Sequence, residues 1–111
     1  EYRVKLIELA PLIAATAANL FVRKDGRWLT PPVDACGIAG VGRRWLINAV
    51  SAIEAPLDVA AVETAQACVL TNALHGPRQI GQLAQRSWDV DRQVQSLQDR
   101  WRTLFSDGHP R

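Results

Sequence analysis

The rhythm of apolar and polar residues changes several times along the chain, and each change predicts an element. In RVKLIEL, near the start, Val4, Leu6 and Glu8 alternate with Lys5, Ile7 and Leu9, and the β-branched content favours a strand over a short helix. NLFVRK and RWLT read as two further extended pieces, joined by Asp25 and Gly26, the dipeptide best suited to a tight hairpin. Pro31 and Pro32 close the second piece, because neither can donate to a ladder. Beyond the loop PPVDACGIAG, Val41, Trp45, Leu46, Ala49, Val50 and Ile53 recur at spacings of three and four, which predicts a helix over 41–54. An extended entry at 55–57 then leads to Asp58, the cap of a turn or two of helix. The apolar run ACVLTN predicts a buried strand, and GPRQIGQL another after a Gly-Pro break. Val90, Val94, Leu97, Trp101 and Leu104 mark a C-terminal amphipathic helix within 89–105, capped by Asp89 or Asp91, before the fraying tail SDGHPR. Strands alternating with helices, with no repeat or interior linker, indicate one α/β or α+β domain: a mixed sheet with covering helices.

Composition narrows the picture. A chain of 111 residues with 48% apolar and 22% charged positions has the makeup of a folded globular domain. Its net charge of +2 is too small to argue for a nucleic-acid partner. Four tryptophans at 28, 45, 88 and 101 supply bulk for a small core, and Trp28, Trp88 and Trp101 are candidates for an interface surface. Cys36 and Cys68, with no leader sequence before them, point to a reduced, cytoplasmic protein. No window is apolar enough to predict a membrane span. Methionine is absent, and the chain opens on EYRVKLIE, the expectation being a processed, excised or assembled segment.

The candidate chemistry centres on CGIAGVGRRWLIN, residues 36–48, where glycines crowd a predicted helix entrance. The first N–H groups of a helix have no intrahelical partners, and the peptide dipoles place positive potential there, so a phosphate or carboxylate fits. Gly40 and Gly42 leave room for an anion beside the main chain, and Arg43 and Arg44 add charge. The other reading is a glycine turn that starts a helix with both arginines in solvent. A dinucleotide-binding loop fails, because the glycines of GIAGVG run in reverse order and TPPVDAC replaces the feeding strand. LTNALHG, residues 70–76, is a second candidate loop, with Thr71, Asn72 and His75 after a buried strand, or simply strand-end turn chemistry. His75 alone reads more readily as a surface or satisfied histidine than as a catalyst, and no residue spacing predicts a metal site.

Taken together, AATAANLFVRKDGRWLTPPVDACGIAGVGRRWLI and ACVLTNALHGPRQI resemble the C-terminal half of the class IV aminotransferase fold, the fold-type IV pyridoxal-phosphate enzymes, over residues 12–83. The resemblance is nearest to the aminodeoxychorismate lyase branch. It implies that backbone N–H groups at Gly40, Val41 and Gly42, with Arg43 beside them, bind the phosphate of pyridoxal 5'-phosphate. It implies further phosphate contacts at Asn72 and Ala73, and a place beside the cofactor for Asn19. The implied reaction cleaves aminodeoxychorismate to 4-aminobenzoate and pyruvate, a step toward folate, in a homodimer whose active site lies between two domains. Two positions depart from the pattern. Ala14 stands where the family has the glutamate that pairs with the ring nitrogen, and neither Lys5 nor Lys24 takes the place of the Schiff-base lysine, which lies upstream of the match. Residues 1–11 match poorly. The expectation is a phosphate-binding C-terminal domain inactive without its N-terminal domain, the alternative a noncatalytic or engineered half-domain that self-associates through apolar surface.

Overall fold

The structure is a computed structural model and describes residues 2–4, 18–32, 41–72, 76–83 and 86–104. In chain order the strands are β1 (Tyr2–Val4), β2 (Asn19–Lys24), β3 (Arg27–Thr30), β4 (Ile53–Glu54), β5 (Ala67–Asn72), β6 (Gly76–Leu83) and β7 (Arg86–Ser87). Three helices cover them: α1 (Val41–Val50) before β4, α2 (Val59–Glu63) before β5, and α3 (Arg92–Arg102) after β7. The strands form one mixed seven-stranded sheet in the order β1-β6-β5-β2-β3-β4, with β7 on β6. β1 runs parallel to β6 and β4 parallel to β3, while the other pairs are antiparallel.

The hairpin forms as the sequence predicts. Lys24 pairs with Arg27 across a two-residue turn, in which Asp25 and Gly26 take φ of 52° and 78°. Alternation along β2 and β5 divides the core between the two faces of the sheet. Leu20, Val22, Cys68 and Leu70 pack with Val62 and Ala65 from α2 and its exit and with Ile80, Leu83 and Trp88. Phe21, Ala67 and Val69 pack on the other face with Leu46 of α1 and Val94 and Leu97 of α3. Helices on both faces make this the α/β layering expected from the alternation of elements.

Several expectations change. The helix predicted over 41–54 stops at Val50: Ser51 turns left-handed at φ 54°, Ala52 N–H donates back to the Ile47 carbonyl at 3.0 Å, and residues 53–54 become β4. This is a Schellman-type stop, and serine at the left-handed position gave no glycine to announce it. Asp58 does cap α2, accepting from Ala61 N–H at 2.7 Å. Asp91, rather than Asp89, caps α3, whose buried stripe is Val94, Leu97 and Trp101; Val90 and Leu104 at the ends of the predicted stripe are exposed. Trp28, Trp88 and Trp101, candidates for interface surface, are all buried in this chain's own core. The β1 strand ends at Val4, and the remainder of RVKLIEL lies outside the described residues, as do Ala14, Cys36 and the C-terminal tail.

Candidate functional site

The site lies at one end of the sheet. β2 enters there with Asn19 and β5 leaves there with Thr71 and Asn72, and the antiparallel register sets Asn19 directly opposite Thr71. β6 starts at the same place, with Asn72 opposite Gly76 and Thr71 opposite Pro77. α1 starts over this end. Its second residue, Gly42, is so close to β5 that a Cβ there would stand 2.7 Å from the Asn72 carbonyl oxygen and 3.1 Å from Thr71 Oγ1. Two loops read separately in the sequence, GVGRR and LTN, therefore meet as one junction.

This contact gives Gly42 a different reason from the expected one. The space a side chain would need is taken by the main chain of Asn72, so the missing Cβ serves a tight helix-to-strand approach rather than an opening for an anion. The helix mouth is brought onto the end of β5 by that approach. Gly76 has its own constraint: φ is +67°, and a Cβ would collide with the indole of Trp101. Trp101 also meets Trp45 of α1 edge-on, with ring centroids 5.5 Å apart, so the start of β6 and both helices on that face are locked together.

Arg43 is buried, and its Nη2 donates to the Pro31 carbonyl at 3.2 Å and to Glu54 Oε2 at 2.5 Å. Its terminal nitrogen thus ties the first turn of α1 to the exits of β3 and β4, a role the sequence did not announce because Glu54 is a distant, exposed partner. Arg44 is exposed. Among the described residues two buried side-chain polar atoms lack a hydrogen-bond partner, Arg43 Nε and Thr71 Oγ1, and the second lies against Gly42. Thr71, only 1% exposed, was legible as a loop residue but not as the donor at this junction. Gly40, Ala73 and His75 lie outside the described residues, and Val41 is placed as the first residue of α1.

The junction brings together neutral hydrogen-bond donors: the first N–H groups of α1, which have no partner within the helix, and the Thr71 hydroxyl. Such a set suits an anion rich in acceptor oxygens. Cys68, by contrast, lies beneath α2, with Sγ 3.7 Å from the Val62 carbonyl, and burial pushes its thiol up to about 12, which keeps it protonated and unreactive. No helix among the described residues is long and apolar enough to cross a membrane.

Comparison with known proteins supplies the family. The family profile for amino-transferase class IV matches residues 11–83, a span that contains both loops of the junction. Among solved structures, 4-amino-4-deoxychorismate lyase from Pseudomonas aeruginosa superposes with a TM-score of 0.71 at 28% identity, over 79% of this chain and 34% of that one. A fold IV transaminase from Curtobacterium pusillum gives 0.72 at 19% identity, over 83% and 33% of the two chains. An aminotransferase from Brucella abortus, solved with its cofactor pyridoxal phosphate, gives 0.66 at 21% identity, over 76% and 33%. The last two likenesses speak for the fold alone. The chain spans about a third of the length of these structures. No curated protein sequence matches it. From the profile match across most of its length, the chain belongs to the class IV amino-transferase family.

Proposed function

We propose that this chain is the C-terminal, phosphate-binding part of a pyridoxal-phosphate enzyme of the aminodeoxychorismate lyase branch. The observation that carries the reading is the convergence of the α1 mouth on Thr71 and Asn72, with a buried hydroxyl left unpartnered beside Gly42. The residues present fit a phosphate: the peptide dipoles at the start of α1 favour its charge, and its oxygens would accept from the Thr71 hydroxyl and the main-chain amides of the first turn. Val41 and Gly42 would hold it through main-chain N–H groups and Asn72 from the end of β5, and the family resemblance adds Ala73. Asn19, half-buried and opposite Thr71, would face the same ligand. Arg43 supports the site by fixing the first turn of α1.

When bound, the cofactor supplies the electron sink of the reaction. This chain's residues supply its anchorage. With Ala14 at the glutamate position and no lysine in the family's place, the 111 residues alone are expected to bind without forming 4-aminobenzoate. The complete enzyme, on this reading, is a cytoplasmic homodimer that works on the route to folate; the Pseudomonas aeruginosa lyase likeness supports the substrate.

The test is amide NMR of the chain titrated with pyridoxal 5'-phosphate, inorganic phosphate and unphosphorylated pyridoxal. Saturable shifts at Val41, Gly42 and Asn72 are expected with the first two and not with the third. Spectra that stay unmoved at high phosphate and cofactor concentration would overturn the reading.

A further inference from the structure

Two threonines are buried at this end of the sheet, and they differ. Thr30, fully buried, donates its hydroxyl to the Leu20 carbonyl at 2.7 Å. Thr71 is just as deeply buried, yet its hydroxyl has no partner. A buried hydroxyl without a hydrogen bond costs stability, and valine would fill the same volume without that cost. Position 71 therefore carries a polar atom that the fold itself does not use. Its location supplies the use: Oγ1 lies 3.1 Å from where a Gly42 Cβ would be, at the first turn of a ten-residue helix whose leading N–H groups have no partner within the helix.

We infer that the Thr71 hydroxyl is a side-chain donor to the anion seated at the mouth of α1, an inference that rests on the phosphate-binding reading above. The unliganded fold bears an unsatisfied donor, and the anion relieves it. A donor shielded from water also makes a stronger bond to a charged acceptor than an exposed one does, because no solvent competes. The arrangement separates binding from stability. Removing the hydroxyl should weaken the ligand while strengthening the empty fold, and a residue with only a packing role would not move the two in opposite directions.

The experiment compares wild type, Thr71→Val and Thr71→Ser, following phosphate titration by the Gly42 and Asn72 amides and thermal unfolding without ligand. Thr71→Val is expected to weaken phosphate binding about tenfold, the usual size for a lost hydrogen bond to a charged group, and to raise the unfolding midpoint. Thr71→Ser, which keeps the hydroxyl, is expected to bind within about twofold of wild type. If Thr71→Val loses its folded amide spectrum, Thr71→Cys, with a poor donor of similar size, takes its place. Phosphate bound equally well by wild type and Thr71→Val would overturn this inference and leave the anion site standing. Equal losses in Thr71→Val and Thr71→Ser would also overturn it, since the methyl and not the hydroxyl would then matter. A wild-type chain that binds neither phosphate nor cofactor would remove the functional reading together with it.

Discussion

The two ends of the sheet treat their buried polar groups in opposite ways. At the hairpin end, Arg23 donates to both Asp91 oxygens, at 3.1 and 2.5 Å, and to Gln93 at 2.9 Å, while its guanidinium lies over the Trp28 ring at 5.5 Å. Trp28 Nε1 donates to the same Gln93, Asp91 Oδ1 accepts from Val94 N–H, and Asp91 N–H donates to Gln79. The network joins β2, β3, β6 and the start of α3. At the helix-mouth end, Thr71 Oγ1 and Arg43 Nε stay unpartnered and two glycines hold contacts that no side chain could share. One end uses its polar groups to hold the fold together, and the other, on the phosphate-binding reading, keeps donors for a ligand. A substitution at the hairpin end should therefore cost stability without touching the ligand, whereas one at the helix mouth should touch both.

Asp91→Ala should have the largest effect. It removes the cap of α3 and strips Arg23, with only 19% of its side chain exposed, of its main anionic partner. Loss of a cap costs about 1 kcal/mol and loss of a partly buried charged hydrogen-bond pair about 2 more, so a drop of about 3 kcal/mol in urea unfolding is expected. Phosphate-induced shifts at Gly42 should persist. If they vanish while the fold remains, the two ends are coupled and the contrast between them is wrong.

Gly42→Ala comes next. Its Cβ would press on the Asn72 carbonyl at 2.7 Å, and moving backbone to relieve such a contact costs roughly 1–3 kcal/mol. Alanine recovers about 1 kcal/mol of helix propensity, so the expected net loss is about 1 kcal/mol, measured by the same unfolding curves. Because α1 must back away from β5, phosphate affinity should fall as well. An unaltered phosphate titration would mean that the close approach serves packing alone.

Much of the framework was legible because it rests on local chemistry. Asp25-Gly26 makes its own turn, Pro31 and Pro32 end a strand by lacking donors, and Asp58 and Asp91 cap helices with nearby oxygens. Thr71 and Asn72 end an apolar run that can only be buried. What escaped the sequence depends on partners distant in the chain. Sheet order places β6 between β1 and β5, Arg43 finds Glu54 only once β4 lies beside β3, and Trp101 is buried by contact with Gly76 and Trp45. The family resemblance singled out the two loops that the fold brings together, but not why Gly42 is glycine. That reason lies in the distance between α1 and β5.

The gentlest probe of the contrast is acid. Hydrogen bonding from Arg23 holds the Asp91 carboxyl below its usual range, against the opposing effect of burial. A carboxyl with a lower pKa in the folded chain than in the unfolded one stabilises the fold fully at pH values above the unfolded value. That stabilisation is lost as pH falls from about 4 through the folded value, where the native carboxylate finally takes up its proton. Asp91→Asn separates this charge effect from capping, because asparagine caps a helix about as well as aspartate but does not titrate. Wild type should exceed Asp91→Asn in stability by about 1 kcal/mol near neutrality, and the gap should close as the solution is acidified through this range. A gap that stays constant down to full protonation would show that the Arg23 network holds Asp91 by geometry rather than by charge. The hairpin end would then owe its strength to neutral hydrogen bonds, the same kind of donor that Thr71 keeps unspent at the opposite end.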